Sequence, residues 1–185
     1  MPTIAVQPMT VAEFERMVFE HPVDLVKGEV VEMPPAGSQH GRIAINIGFL
    51  IESWCRENRS GIVLGNDAAI VIQTDPDTVR GADVSFLCEA RIPADGLPAG
   101  ALRIPPDLVI EVLSPSDRWE NVLEKVLEYQ AIGVREVWVV NGARRVVDVF
   151  RADASPKRFH AADEIRSPDV LPGFSAFVTE FFRNV

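Results

Sequence analysis

Residues 106–113, Pro-Asp-Leu-Val-Ile-Glu-Val-Leu, are the most informative segment of the sequence for the fold. A short aliphatic run that begins at one proline and is followed by another predicts a β-strand. Alternation along this strand places Glu111 on one face with Val109 and Leu113, and the other face is entirely aliphatic. Both faces are therefore expected to be buried, which is typical of a strand inside a layered sheet.

Glu111 is the unusual residue of this strand. A carboxylate among aliphatic side chains loses its hydration, so it is normally protonated, paired with a cation or bound to a metal ion. From this feature alone, Glu111 is either a partner in a buried salt bridge or a metal ligand.

A second acid interrupts the preceding strand, VRGADVSFL at 79–87. Asp83 follows Gly81 and Ala82, whose small side chains would let another group approach closely. Aspartate is disfavoured in strands, although it is found at strand starts and bulges. Two acids in neighbouring strands favour a site for a hard cation such as magnesium, which prefers carboxylate oxygens.

The segment that follows residues 106–113 predicts a helix running to about Ile132. Ser116 or Asp117 is expected to cap its first turn, and Gly133 to end it. The helical period places Lys125 and Tyr129 on one face. Lys125 is a candidate cation for the site, although a helical lysine is more often solvated surface.

The remaining segments complete an α/β sandwich, a mixed sheet flanked by helices. A single domain over 1–185 is predicted, with a helix and hairpin extension in 1–38, a core in 39–150 and a C-terminal segment in 151–185. The expected elements are a short helix after Thr10, a hairpin at 23–33, a long helix at 40–57, strands at 61–73, 79–87, 106–113, 134–141 and 144–152, and a docking helix at 169–182.

The formal net charge of -9 does not favour a sequence-independent grip on nucleic acid. Basic residues gathered on one face could still provide one, with Arg42, Arg56 and Arg59, or Arg144 and Arg145, as the candidates. The chain has no apolar run of membrane-spanning length and its N-terminus does not resemble a signal peptide, so we expect a cytoplasmic protein without a membrane partner.

Several motifs together resemble the Uma-type restriction endonuclease family, which is grouped with the PD-(D/E)XK nucleases. Their order and spacing over nearly the whole chain are specific as a set. They are DLVKGEVVEM with the following SQHG, GADVSFL, PPDLVIEVLSPS, EKVLEYQAIGVREVWVVN and VLPGF.

The resemblance implies a restriction-endonuclease-like core in which Asp83 and Glu111 bind magnesium or manganese, with the backbone carbonyl of Val112 as a further ligand. Such nucleases commonly hold a lysine two residues after the glutamate, and this chain has Leu113 there. A lysine on the following helix recurs in the family, and Lys125 matches it.

Further positions match the family's pattern as auxiliary candidates. They are Glu29 in the hairpin, His40 at the start of the long helix, and Tyr129. Relatives often carry an acid four residues before the helical lysine, whereas this chain has Asn121.

Two functions of different classes follow. The first is a metal-dependent endonuclease that hydrolyses phosphodiester bonds in DNA and works as a homodimer. The second is a catalytically degenerate nuclease fold that serves as an interaction or structural module, which the acidic charge and Leu113 favour.

Overall fold

The computed structural model describes residues 7–185, which form a mixed α/β structure built on one large sheet. Three helices are α1 (Val11–Phe14), α2 (Ser38–Asn58) and α3 (Trp119–Ala131). Ten strands are β1 (Val23–Val26), β2 (Glu29–Glu32), β3 (Gly61–Gln73), β4 (Thr78–Cys88), β5 (Leu108–Val112), β6 (Glu136–Asn141), β7 (Val146–Arg151), β8 (Ala154–His160), β9 (Glu164–Ser167) and β10 (Leu171–Phe177).

The large sheet has the order β2-β1-β4-β5-β6-β7-β8, and β3 also pairs with β4. Among the strands of residues 7–185, β5 and β6 pair in parallel and the other strand pairs in this sheet are antiparallel. The parallel pair is connected by α3, the crossover helix that a parallel pair requires. The predicted mixed sheet with flanking helices is therefore confirmed.

Two hydrophobic layers cover the two faces of β5, as its alternation predicts. Ile110 packs in the layer that includes α2, and Val109 packs in the layer that includes α3. The carboxylate of Glu111 belongs to the second layer's side of the sheet. Consequently the only face of β5 that carries a charge is turned toward α3.

The tail contradicts its prediction. Instead of a docking helix, residues 164–177 form the two-stranded sheet of β9 and β10, followed by a short 3-10 helix at Val178–Phe182. Alternate residues of β10 are buried, including Phe174 and Ala176, which is the period of a strand. Pro172 and Gly173 also disfavour a helix here.

The predicted cap of α3 is also wrong. The N-cap is Arg118, which makes no side-chain cap hydrogen bond. The carboxylate of Asp117 instead accepts a hydrogen bond of 2.7 Å from the backbone N–H of Ser114, closing the turn before the helix. Gly133 has φ +96°, which confirms it as the left-handed residue after α3.

Within residues 7–185, no helix is long and apolar enough to cross a membrane.

Candidate functional site

Asp83 and Glu111 come from the adjacent strands β4 and β5. Val84 lies opposite Ile110 in this antiparallel pair, and the two acids are the next residues beyond that pair. Oδ2 of Asp83 accepts a hydrogen bond of 2.6 Å from the backbone N–H of Val112, which holds its carboxylate against β5. The structure thus brings both predicted acids to one place in the sheet.

Glu111 is held from two directions by side chains of α3. The hydroxyl of Tyr129 donates a hydrogen bond of 2.7 Å to Oε1, and Nζ of Lys125 lies 3.4 Å from Oε2. Burial raises the pKa of Glu111 to about 7, and the nearby carboxylate of Asp83 adds to the rise while Lys125 opposes it. Burial therefore opposes the ionisation of this carboxylate, and the positive charge of Lys125 favours it.

Lys125 is buried rather than solvated, with a side chain that is 15% exposed. Besides Glu111, it faces Asp24, whose Oδ2 lies 3.7 Å from Nζ. Burial lowers the pKa of Lys125, but the carboxylates of Glu111 and Asp24 outweigh it and raise the pKa overall. The ammonium is therefore a fixed positive charge at the site.

His40 approaches Asp83 from the first turns of α2. Its Nε2 lies 3.2 Å from Oδ2 of Asp83, and both side chains are largely buried. The hydrogen bond to Asp83 raises the pKa of His40, against the opposing effect of burial. The backbone of Val112 also contributes a hydrogen bond that raises this pKa, as an acceptor carbonyl does.

Asp24 is a site residue that the sequence analysis missed. It lies in β1, is 2% exposed, and accepts hydrogen bonds from the backbone N–H of Gly81 (3.0 Å) and from Nη1 of Arg80 (3.2 Å). Arg80 in turn donates two hydrogen bonds to Glu128 on α3, of 2.7 and 3.1 Å. An acid inside the apolar strand VDLV was the available signal, the same one that identified Asp83.

Glu29, the acid that the resemblance suggested in the hairpin, lies elsewhere. It is an exposed residue of β2 and does not line the cavity that contains the other candidates. The structure therefore gathers Asp83, Glu111, Lys125, His40 and Tyr129, but not Glu29.

A bulge in β3 adds another acid beside Asp83. The register of β3 on β4 shifts between Gly65 and Ala68, and the intervening Asn66 and Asp67 both have positive φ. Burial raises the pKa of Asp67, and the charge of Asp83 raises it further. The bulge turns a third carboxylate toward the pair.

Gly81 makes this close approach possible. A Cβ at Gly81 would lie 3.0 Å from Cβ of Asp67 and 3.1 Å from its backbone oxygen. Only a residue without a side chain fits there without moving the bulge, which explains why a glycine stands two residues before Asp83.

One open cleft of about 1020 Å³ is lined by six of these side chains, Asp24, His40, Asp67, Asp83, Glu111 and Lys125. Asp83, Glu111 and Lys125 lie at its polar part, while Phe14 and Met17 contribute to an apolar part. In the described part of the chain no three His, Cys, Asp or Glu side chains form a ready-made metal cage. Two carboxylates, a backbone carbonyl and solvent do match the oxygen ligands that magnesium takes.

Comparison with known families and structures gives matches of both kinds. The model of the Uma2 family, described as "putative restriction endonuclease", matches residues 11–179. The solved structure of a "putative nuclease" from Anabaena variabilis superposes with a TM-score of 0.83 at 21% identity, covering 95% of this chain and 98% of that one. Comparison with curated proteins gives no match.

Proposed function

Because the chain belongs to the Uma2 family of restriction-endonuclease-like proteins, we propose that it is a nuclease that hydrolyses phosphodiester bonds in DNA with magnesium or manganese. The observation that carries the proposal is the meeting of Asp83, Glu111 and Lys125 in one cleft. These residues are two carboxylates and one fixed cation, and all three line the open cleft. Phosphodiester hydrolysis needs both kinds of group, for the metal and for the developing negative charge.

The metal would be held by the carboxylates of Asp83 and Glu111 together with the backbone carbonyl of Val112. A divalent ion bound there would polarise the scissile phosphate and lower the pKa of an attacking water. The raised pKa of Glu111 supports this ligand set, because a nearby cation restores the ionised form that burial disfavours.

Lys125 supplies the cation that is missing just after β5, where Leu113 packs against the α3 layer instead. The helix brings Nζ to within 3.4 Å of Glu111, so the ammonium reaches the carboxylate from α3 instead of from the strand. Its role is to orient water beside Glu111 and to stabilise negative charge on the phosphate oxygens.

Two further side chains position the acids. His40 holds Oδ2 of Asp83 from the side of α2, and Tyr129 holds Oε1 of Glu111 from α3. At Asp83 both contacts, from His40 and from the backbone N–H of Val112, fall on Oδ2, whereas at Glu111 Tyr129 takes Oε1 and Lys125 lies beside Oε2. Such fixed neighbours keep ligands in place before the metal arrives.

Cleavage of plasmid DNA in magnesium or manganese tests the proposal. The Asp83→Asn, Glu111→Gln and Lys125→Met proteins should lose cleavage while keeping the fold, which thermal unfolding checks. Glu120→Gln is the matched control, since this α3 acid has a side chain that is 79% exposed. Undiminished cleavage in the three site variants would sink the assignment.

The alternative is a degenerate fold that acts as an interaction module. One observation favours it, because the charged side chains of the site pair with one another in a connected ionic network formed by Glu111, Lys125, Asp24, Arg80 and Glu128. On this alternative, calorimetry detects no magnesium or manganese binding at millimolar concentration. Clear metal binding that depends on Glu111 argues for the nuclease.

We further propose that the protein works as a homodimer. A single site of this kind cuts one strand, so cutting both strands of a duplex is served by two copies related by symmetry. Sedimentation of the full chain measures the oligomeric state directly.

A further inference from the structure

The outward face of α2 carries two large apolar side chains in the open. Ile45 is 65% exposed and Phe49 is 70% exposed, whereas Ile43, Ile47 and Ile51 on the opposite face are buried in the core. The helix has 21 residues, so this face is a long ridge on the surface. Adjacent exposed apolar residues on a rigid helix are typical of a contact surface.

The ridge has the spacing of a helix–helix seam. Its members Arg42, Ile45, Phe49 and Glu52 follow one another at intervals of three, four and three residues, which is the pattern of the two core positions of a heptad. A cation stands at one end, apolar side chains stand in the middle, and an anion stands at the other end.

We propose that this ridge, defined by Arg42, Ile45, Phe49 and Glu52, packs antiparallel against the same ridge of a second copy of the chain. In that arrangement Ile45 lies against the partner's Phe49, and Arg42 lies against the partner's Glu52. Each contact occurs twice by symmetry, as in a two-fold dimer. The ridge is thus the interface of the homodimer proposed above, and this inference rests on that proposal.

The charges of the ridge select the antiparallel orientation. A parallel pair would place Arg42 beside the partner's Arg42 and Glu52 beside the partner's Glu52, and like charges at a contact are unfavourable. Glu52 already holds Arg56 of its own helix, with Nε and Oε1 2.7 Å apart. The partner's Arg42 would join this pair from across the seam and complete a small ionic network.

The same arrangement relates the two clefts. The symmetry axis would pass the helices near residue 47, so His40 and the partner's His40 lie seven residues to either side of it. At about 1.5 Å per residue, their positions are separated by about 21 Å along the helices. Because His40 contacts Asp83, the two candidate sites would sit at opposite ends of the seam.

Sedimentation velocity of the full chain and its variants tests the interface without any cleavage assay. The wild-type chain should sediment as a dimer, and Phe49→Glu should sediment as a folded monomer whose circular dichroism is unchanged. Leu127→Glu is the matched control, because Leu127 is a large apolar residue of similar exposure (65%) that lies on α3; this variant should remain dimeric.

A charge exchange tests the antiparallel register. Arg42→Glu and Glu52→Arg should each weaken the dimer by about tenfold or more, since each places like charges together twice. The chain carrying both substitutions should recover most of that affinity, because the opposite charges again face each other across the seam.

Several results would overturn the interface. A wild-type chain that is monomeric, or a Phe49→Glu chain that remains dimeric, would show that the ridge does not join two copies. A doubly exchanged chain no tighter than the single variants would exclude the antiparallel register. Loss of DNA retention in Phe49→Glu without any change in oligomeric state would assign the ridge to nucleic acid instead. Failure of cleavage alone leaves the sedimentation result unaffected and bears only on the proposed activity.

Discussion

Glu111→Gln should stabilise the fold above neutral pH, although it should abolish metal-dependent activity. Burial raises the pKa of Glu111 from 4.5 to about 7, so above pH 7 the folded chain carries an ionised group that its surroundings disfavour. At about 1.4 kcal/mol per pKa unit, this ionisation costs the fold about 3 kcal/mol. Glutamine removes the charge and keeps an oxygen that accepts the hydrogen bond from Tyr129.

The pH dependence of this effect is its signature. Between pH 4.5 and 7 the folded state holds a proton on Glu111 that the unfolded state has released, so the wild-type stability falls as pH rises through this window. The variant lacks this contribution. We therefore expect no difference between the two proteins near pH 4, and a difference of about 3 kcal/mol near pH 8, equivalent to a rise in Tm of roughly 6–12 °C.

Urea unfolding of both proteins at several pH values, in the absence of divalent metal, measures this difference. Glu120→Gln is the control, because an exposed α3 acid should change stability little at any pH. If the Glu111→Gln protein is as stable as wild type at pH 8, or less stable at every pH, then ionisation of Glu111 does not destabilise the fold and the reasoning is refuted.

Three further predictions concern the surrounding residues. Lys125→Met should lower kcat for DNA cleavage by about 100-fold or more, because it removes the fixed cation of the cleft, and steady-state cleavage assays check this. Asp24→Asn should lower the free energy of unfolding by about 3 kcal/mol, because Arg80 loses one of its buried carboxylates; urea unfolding measures the loss, and an unchanged midpoint would contradict it. Gly81→Ala should cost about 1–3 kcal/mol, because the new methyl group meets the bulge at Asp67; crystallography should show the bulge displaced, and an unmoved bulge with wild-type stability would contradict it.

Local periodicity predicted much of the large sheet and its helices. Alternation assigned the two faces of β5 correctly, and a helical period placed Lys125 and Tyr129 together, where the structure has both of them at Glu111. These features depend on residues that are close in sequence. For that reason they can be predicted from a single sequence without knowledge of the tertiary contacts.

Features that depend on distant contacts were harder to predict. Asp24 is buried because its strand pairs with β4, 54 residues later at Leu25–Val79, and because Arg80 reaches it. The C-terminal strands form a separate small sheet, whose weakly alternating sequence also fits a short amphipathic helix. The bulge at Asp67 follows from the register of two strands, which no single segment specifies.

We propose that Asp83 and Glu111 bind the metal of a nuclease site. Crystals soaked in manganese, with data collected for anomalous scattering, test it most directly. We expect a manganese peak in contact with both carboxylates and close to the backbone carbonyl of Val112. Crystals with no peak in the cleft, or with manganese bound only to other residues, would contradict it.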